Sequence, residues 1–122
     1  MPNKKEYLEF VTDWLAPLGE ISERGMMGGH VLYCDGVVFA LVANNVLYLK
    51  ADDVTRPRFE ALGLGPFRPF PDNPGTMQFH LPPAEFFEDS EVMEEWGWAA
   101  VEVGRRAQAK RKPKGPRGRK KK

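Results

Sequence analysis

The hydrophobic residues of the N-terminal segment recur every three to four positions, which is the spacing of one helix face. The stripe consists of Tyr7, Leu8, Val11, Trp14, Leu15 and Leu18. Pro17 and Gly19 supply the residue types that end a helix. The pattern therefore predicts an amphipathic helix within residues 4 to 18.

Residues 24 to 50 alternate with a period of two instead. Their segments HVLYC, VVFALVA and VLYLK are rich in β-branched and aromatic residues, as strands are. The dipeptides between them, Asp35-Gly36 and Asn44-Asn45, tolerate the positive φ values of a two-residue hairpin turn. Gly28-Gly29 offers a third turn, which would join ISERGMM to HVLYC. This stretch predicts a four-stranded antiparallel meander.

The predicted turns fix which side chains share a face of the sheet. One face carries Met26, Val31, Tyr33, Val38, Ala40, Val42, Leu47 and Leu49. The second face carries His30, Leu32, Cys34, Val37, Phe39, Leu41, Val46, Tyr48 and Lys50. Because the second face is also largely apolar, part of it should be covered. We expect a contact surface for a protein partner or a second copy of the chain, formed by Leu32, Phe39, Leu41 and Tyr48.

A middle helix is predicted after the meander, in the segment ADDVTRPRFEALGLGP. Its capping residue lies among Asp52, Asp53 and Thr55, and Thr55 is favoured because Pro57 then falls in the first turn. Gly63 is the expected end of this helix.

A further strand, TMQFHL, follows the proline-rich connection at residues 65 to 75. The last helix begins near Ser90, with a stripe formed by Met93, Trp96, Ala100 and Val103. The expected fold is α+β and two-layered: an antiparallel sheet, made of the meander plus one or two further strands, with an N-terminal, a middle and a C-terminal helix.

Charge divides the chain into two parts although the net charge is only +1. Residues 1–104 hold seven basic and seventeen acidic residues, whereas residues 105–122 hold eleven basic residues and no acidic one. The second part contains no large apolar residue, so we predict a folded domain over 1–104 and a disordered basic tail over 105–122. The last helix is free to continue into RRAQAKRK and to fray by Pro113.

Flexible positive charge attracts phosphate backbones without reading their sequence. The candidate nucleic-acid-binding residues are Arg105, Arg106, Lys110, Arg111, Lys112, Lys114, Arg117, Arg119, Lys120, Lys121 and Lys122. Since no aromatic residue lies among them, the composition argues against base stacking. A solvated tail without a specific partner is the open alternative.

Catalytic signals are at background level in this sequence. Gly28-Gly29 matches neither the dinucleotide fingerprint nor the phosphate-binding loop, and His30, Cys34 and His80 lack the paired spacing of zinc ligands. We therefore predict no enzyme activity, no metal and no cofactor. A single cysteine, no apolar signal core and no membrane-length apolar run predict a cytoplasmic protein without membrane contact.

Arg24 is a charged residue that the pattern places among apolar neighbours of the meander. It shares the predicted face of Tyr33 and Val38, so it either pairs with a helix carboxylate or lies at the sheet edge. A ligand-binding role is the lesser alternative, in which a small-molecule-binding protein or enzyme would use the region of Arg24, Met26 and His30.

The segments RGMMGGHVLYCDGVVFALVANNVLYLKAD, RFEALGLGPF and LPPAEFFEDSEVMEEW resemble the N-terminal domain of the TfoX/Sxy family, which is linked to the regulation of bacterial competence. The resemblance covers most of residues 7 to 103. The motif positions that carry it are Arg24, Met26, Gly28, Gly29, Tyr33, Gly36, Leu49 and Lys50. Met27 replaces a usual phenylalanine of the family, and Val31 replaces a usual glycine.

This resemblance implies a two-layer α+β fold and a regulatory role without catalytic residues. Proteins of the family are thought to act alongside the cyclic-AMP receptor protein, so the resemblance also implies a protein partner, with the transcription machinery as one candidate. Full-length competence activators carry a second, helical domain, whereas a basic tail is expected here.

Overall fold

The computed structural model describes residues 3–26, 28–67 and 78–111, except for the side chains of Met26 and Arg111. Helix α1 spans Lys5–Leu15 and continues as a 3-10 turn over Ala16–Leu18. Strands β1 to β4 and helix α2 follow at Ile21–Met26, Gly29–Cys34, Val37–Ala43, Val46–Lys50 and Arg56–Ala61. Strand β5 at Phe79–His80, a 3-10 turn at Ala84–Phe87 and helix α3 at Ser90–Arg111 complete the order.

Within the described residues the strands form one antiparallel sheet in the order β1-β2-β3-β4-β5. The α+β fold predicted from the sequence is therefore confirmed. The predicted strand TMQFHL is present at Phe79–His80, while residues 76 and 77 and most of the proline-rich connection lie outside the described part.

Two of the three predicted hairpin turns are confirmed by their backbone angles. Asp35 and Gly36 have φ values of 51° and 83°, and Asn44 and Asn45 have 53° and 61°. Positive φ at both central residues is the signature of the turn that matches the twist of paired strands.

The first turn lies one residue earlier than predicted, because Met26 pairs directly with Gly29. Gly28, with φ of 82°, belongs to the turn, whereas Gly29 is the first residue of β2. A Cβ atom on Gly29 would lie 2.7 Å from the carbonyl oxygen of Val42. The two glycines therefore have different roles. Gly28 adopts the positive φ of the turn, and Gly29 allows the backbone of β3 at Val42 to lie close to β2.

A β-bulge in β3 overturns part of the predicted face assignment. Tyr33 pairs with Val38 but Leu32 pairs with Ala40, so Phe39 is an extra residue between them. Because side chains alternate with a period of two, one extra residue exchanges the faces beyond it. Leu32 therefore shares the helix-covered face with Ala40 and Val42, and the two predicted faces mix residues that lie on opposite sides.

The core lies between the sheet and the helices, and the helix stripes predicted from the sequence are confirmed. Its fully buried members include Val11, Leu15, Leu32, Phe39, Val42, Leu49, Met93 and Val101. A smaller apolar cluster covers the opposite face of the sheet. This second-face cluster contains Val31, Leu41 and Phe79, with Tyr33, Val38, Tyr48 and Phe67 packed against them.

Helix α2 begins as the sequence predicts, with Thr55 in the capping position and Pro57 in the first turn. The Thr55 hydroxyl does not cap an amide of the helix itself. It accepts a hydrogen bond from the amide of Asp52 at 3.1 Å. The carboxylate of Asp52 in turn accepts from the amides of Val54 and Thr55 at 3.0 and 3.2 Å. Asp52 and Thr55 thus hold the entry to α2 together, and Gly63, with φ of 72°, follows its end.

Helix α3 runs through Gly104, the residue where the predicted domain ends. A Cβ atom on Gly104 would lie 2.1 Å from the carbonyl oxygen of Val38, so this glycine allows the helix to rest directly on β3. Arg106 and Gln108 anchor the next turns: the Gln108 side chain donates a 3.3 Å hydrogen bond to the carbonyl of Gly36. The folded unit therefore includes residues 105–111 of the predicted tail, whereas residues 112–122 lie outside the described part.

Candidate functional site

The predicted contact surface of Leu32, Phe39, Leu41 and Tyr48 does not exist as one exposed patch. Leu32 and Phe39 are 0% exposed beneath the helices, on the helix-covered face. Leu41 and Tyr48 belong to the second-face cluster, where Leu41 is 1% exposed. The Tyr48 ring packs against Phe67 with 4.9 Å between ring centroids, and burial raises the pKa of its hydroxyl. The prediction is wrong because the bulge at Phe39 breaks the regular alternation on which the face assignment depends.

Arg24 lies at the sheet edge, the second of the two placements that the sequence allowed. It is exposed on β1 opposite Val31, and within the described part of the chain its side chain has no hydrogen-bond or ion-pair partner. Ser22 lies on the same face, opposite Tyr33.

His30 lies on the opposite face of the sheet from Arg24. Its Nδ1 atom is 2.9 Å from the side-chain amide of Asn3, and its Nε2 atom is 3.7 Å from a carboxylate oxygen of Glu23. Asn3 also donates to the carbonyl of Val42 and accepts from the amide of Asn45, which ties the N-terminus to the β3–β4 turn. Arg24 and His30 therefore do not converge on a shared ligand.

The family-motif positions are mostly structural where the chain is described. Gly28 and Gly36 form turns, Gly29 permits close approach and Leu49 is fully buried. Tyr33 and Lys50 lie on the second face, where the Lys50 ammonium is 5.1 Å from the centre of the Phe79 ring. Among the motif side chains that the structure describes, Arg24 is the charged one that is exposed.

A cleft that sequence reasoning missed opens between α2 and β5, with a volume of about 610 Å³. Its lining comprises Arg56, Glu60, Gly63, Leu64, Gly65, Pro66, Gln78 and His80. His80 is 4% exposed, and its Nδ1 is 2.8 Å from the carbonyl of Leu64. Since a carbonyl only accepts, the Nδ1 atom of His80 carries a proton and donates it to this bond.

Cys34 is poorly suited to nucleophilic chemistry. Its side chain is 1% exposed, and its Sγ lies 3.4 Å from the carbonyl of Leu18, to which the thiol donates. Burial, helped by the neighbouring Asp35 carboxylate, raises the pKa of the thiol, so it remains protonated at neutral pH. Among the described residues, no group of three or more His, Cys, Asp or Glu residues is arranged to hold a metal ion.

The basic residues at the end of α3 divide into paired and exposed side chains. Arg106 forms a fork with Asp52, at 2.8 Å from Nε to Oδ2 and 3.1 Å from Nη2 to Oδ1. The hydrogen bond from Arg106 is the main reason that the pKa of Asp52 is lowered. Arg105 pairs with Glu102 at 2.9 Å, whereas Lys110 is exposed. Arg106 is thus primarily part of the fold rather than a free phosphate contact.

These features define a small α+β domain with a helix-covered antiparallel sheet and a basic C-terminal extension. The model of the TfoX N-terminal domain family matches residues 13–103, and the chain belongs to this family. That domain is of a regulatory type and is not a known enzyme family. Among curated proteins, none matches the chain significantly.

Within residues 3–26, 28–67 and 78–111, no helix has the length and apolar character needed to cross a bilayer.

Proposed function

We propose that the chain is a regulatory domain of the TfoX type that acts by protein contact and binds nucleic acid without sequence specificity through its basic C-terminal segment. The observation that carries the nucleic-acid role is the separation of charge along α3. Glu102 is the last acidic residue, and every charged residue after it is basic. In this proposal the protein acts in the cytoplasm, with the transcription machinery.

The ion pairs of α3 show which part of this charge is available. Arg105 and Arg106 already face carboxylates, so the available charge begins at Lys110. Residues 1–104, with seven basic and seventeen acidic residues, repel a polyanion. Binding must therefore depend on the last turn of α3 and the residues that follow it, and it must weaken steeply with salt because each phosphate contact releases counterions.

The test compares the full chain with a truncation after Arg111, which keeps the contacts of Arg106 and Gln108. The truncation removes seven basic residues, Lys112, Lys114, Arg117, Arg119, Lys120, Lys121 and Lys122. A full-length variant with glutamine at these seven positions controls for chain length. Fluorescence anisotropy with a labelled DNA duplex at low salt should show binding by the full chain only, with a logarithmic salt slope of about −0.9 per phosphate contact. Equal binding by all three proteins would remove the C-terminal segment from the proposal.

The protein contact is supported by family membership and by an exposed aromatic group between α1 and the second 3-10 turn. Phe10 is 49% exposed, and its ring centroid lies 5.5 Å from Phe87 and 6.3 Å from Tyr7. Aromatic side chains are enriched at protein interfaces.

A pull-down with the full chain, with and without nuclease, separates protein partners from bridging nucleic acid. We expect a nuclease-resistant partner to be lost with Phe10→Ser and kept with Val54→Ser, since Val54 is 69% exposed but outside this aromatic group. Equal retention of the partner by both variants would exclude Phe10 as the contact.

A further inference from the structure

Strand β1 leaves one side of its backbone open. It is the first strand in the sheet order, and Ser22, Glu23, Arg24 and Gly25 are all exposed. The amide of Asp35 donates to the carbonyl of Glu20 at 2.8 Å, so Glu20 is a residue whose backbone bonds towards β2. In an antiparallel pair every second residue does so. Even-numbered residues of β1 therefore bond to β2, and the backbone groups of Ile21, Glu23 and Gly25 point away from the sheet.

Those outward N–H and C=O groups have no partner within the described residues. An edge strand of this kind is a template for another strand. We propose that β1 pairs antiparallel with β1 of a second copy of this chain, around a two-fold axis at Ser22, so that the sheet continues across the two copies. The inference goes beyond the proposed function and does not depend on the basic C-terminal segment.

The backbone restricts the possible registers. In an antiparallel pair, outward-bonding residues face each other, so a two-fold axis must pass through a residue position and not between two residues. Within the exposed part of β1, the axis can lie at Ser22, Glu23, Arg24 or Gly25. An axis at Gly25 places Arg24 opposite Met26 of the second copy, so it gives Arg24 no opposite charge. An axis at Glu23 places two carboxylates opposite each other, and an axis at Arg24 places two guanidinium groups opposite each other. Like charges in directly opposite positions destabilise a strand pair.

The axis at Ser22 instead pairs opposite charges. Glu20 then lies opposite Arg24 of the second copy, and the same contact occurs twice by symmetry. Neither the Glu20 carboxylate nor the Arg24 guanidinium has an ion-pair partner within the described residues, so both are available. Ile21 faces Glu23 of the second copy in the bonded position, which supplies four backbone hydrogen bonds over both halves. Charge complementarity therefore selects this register and a second copy as the partner.

One paired edge buries less than the roughly 1,200 Å² of a stable interface, so the dimer should be weak and its population should depend on protein concentration.

Sedimentation equilibrium of the full chain should show reversible association. Arg24→Glu should weaken association by about tenfold or more, because both symmetric contacts become repulsive. The double variant with Glu20→Arg and Arg24→Glu should restore it. A monomeric wild-type chain up to about 1 mM, or a double variant no better than Arg24→Glu, would overturn the proposal.

Cysteine crosslinking tests the register separately. Opposite residues in the non-bonded position approach closely enough for a disulfide, and Cys34 is buried and does not interfere. Ser22→Cys alone should crosslink to itself on mild oxidation. Glu20→Cys and Arg24→Cys should crosslink when mixed but not separately. Glu60→Cys, exposed on α2, is the background control.

Two crosslinking results would contradict this register. Ser22→Cys would crosslink no faster than Glu60→Cys if β1 does not pair. A mixture of Ser22→Cys and Arg24→Cys that exceeded the predicted pair would place the axis at Glu23 instead.

Discussion

Replacing Gly104 with alanine should drive a methyl group into strand β3. The added Cβ would lie 2.1 Å from the carbonyl oxygen of Val38 and 2.6 Å from the Cγ1 atom of Val37. Neither distance is compatible with non-bonded atoms, and the first involves main chain that cannot rotate away. The helix must therefore lift from the strand by about 1 Å, along the face where α3 packs against the sheet.

The expected loss of stability follows from two opposing effects. Overpacking of a buried site costs about 1–3 kcal/mol, and occasionally more. Alanine at a helix interior position is better than glycine by about 1 kcal/mol, which offsets part of that cost. Because the obstacle is backbone, the cost should lie at the upper end, leaving a net loss of about 2 kcal/mol. At about 4 °C per kcal/mol for a domain of this size, the melting temperature should fall by about 8 °C.

Thermal and urea unfolding followed by circular dichroism measure this loss directly. Gly25→Ala is the matched control, because no atom lies within 4 Å of a Cβ at Gly25 and its stability should hardly change. Adding Val37→Ala to Gly104→Ala removes the side-chain contact but leaves the carbonyl in place, so it should not rescue the variant. Wild-type stability for Gly104→Ala, or full rescue by Val37→Ala, would refute the backbone clash.

Two further variants test the ion pair and the thiol. Asp52→Asn should lower the free energy of unfolding by about 1–2 kcal/mol, a value discounted for the partial exposure of both side chains in the Arg106 pair. Since the folded-state pKa of Asp52 is lowered, this contribution is present above the unfolded value near 4 and is lost as pH falls through the folded-state pKa. Urea titrations from about pH 3 to 7 should show the two proteins converging at the acidic end, and a constant difference would contradict this linkage. Cys34 should react with iodoacetamide at neutral pH much more slowly than in urea, because burial raises the thiol pKa and blocks access, whereas equal rates would show an open site.

Local chemistry made much of the fold predictable from the sequence. The spacing of Val11 and Leu15, and of Met93 and Ala100, identified helix faces that are buried. Asn44-Asn45 identified a hairpin because few other residue types adopt positive φ at both central positions.

The bulge could not be predicted because VVFALVA is apolar at every position. Its sequence therefore does not indicate which side chains of β3 share a face. The end of the domain was hidden for a different reason. Arg106 belongs to a strongly basic segment, and its partner Asp52 lies 54 positions earlier in the chain. Composition indicated a solvated tail, whereas long-range pairing incorporates its first part into the fold. The cleft beside His80 also depends on separate elements, and no short motif announces it.

The bulge at Phe39 also determines where the chain tolerates changes in length. Val37–Val38 and Ala40–Ala43 lie on either side of the extra residue, with opposite alternation relative to β2. Deleting Phe39 would join the two halves in a single alternation with the other side chains on their present faces, but it would remove a fully buried ring from the core. Insertions and deletions among related sequences should therefore gather in loops, while the number of residues between the Asp35-Gly36 and Asn44-Asn45 turns stays at seven.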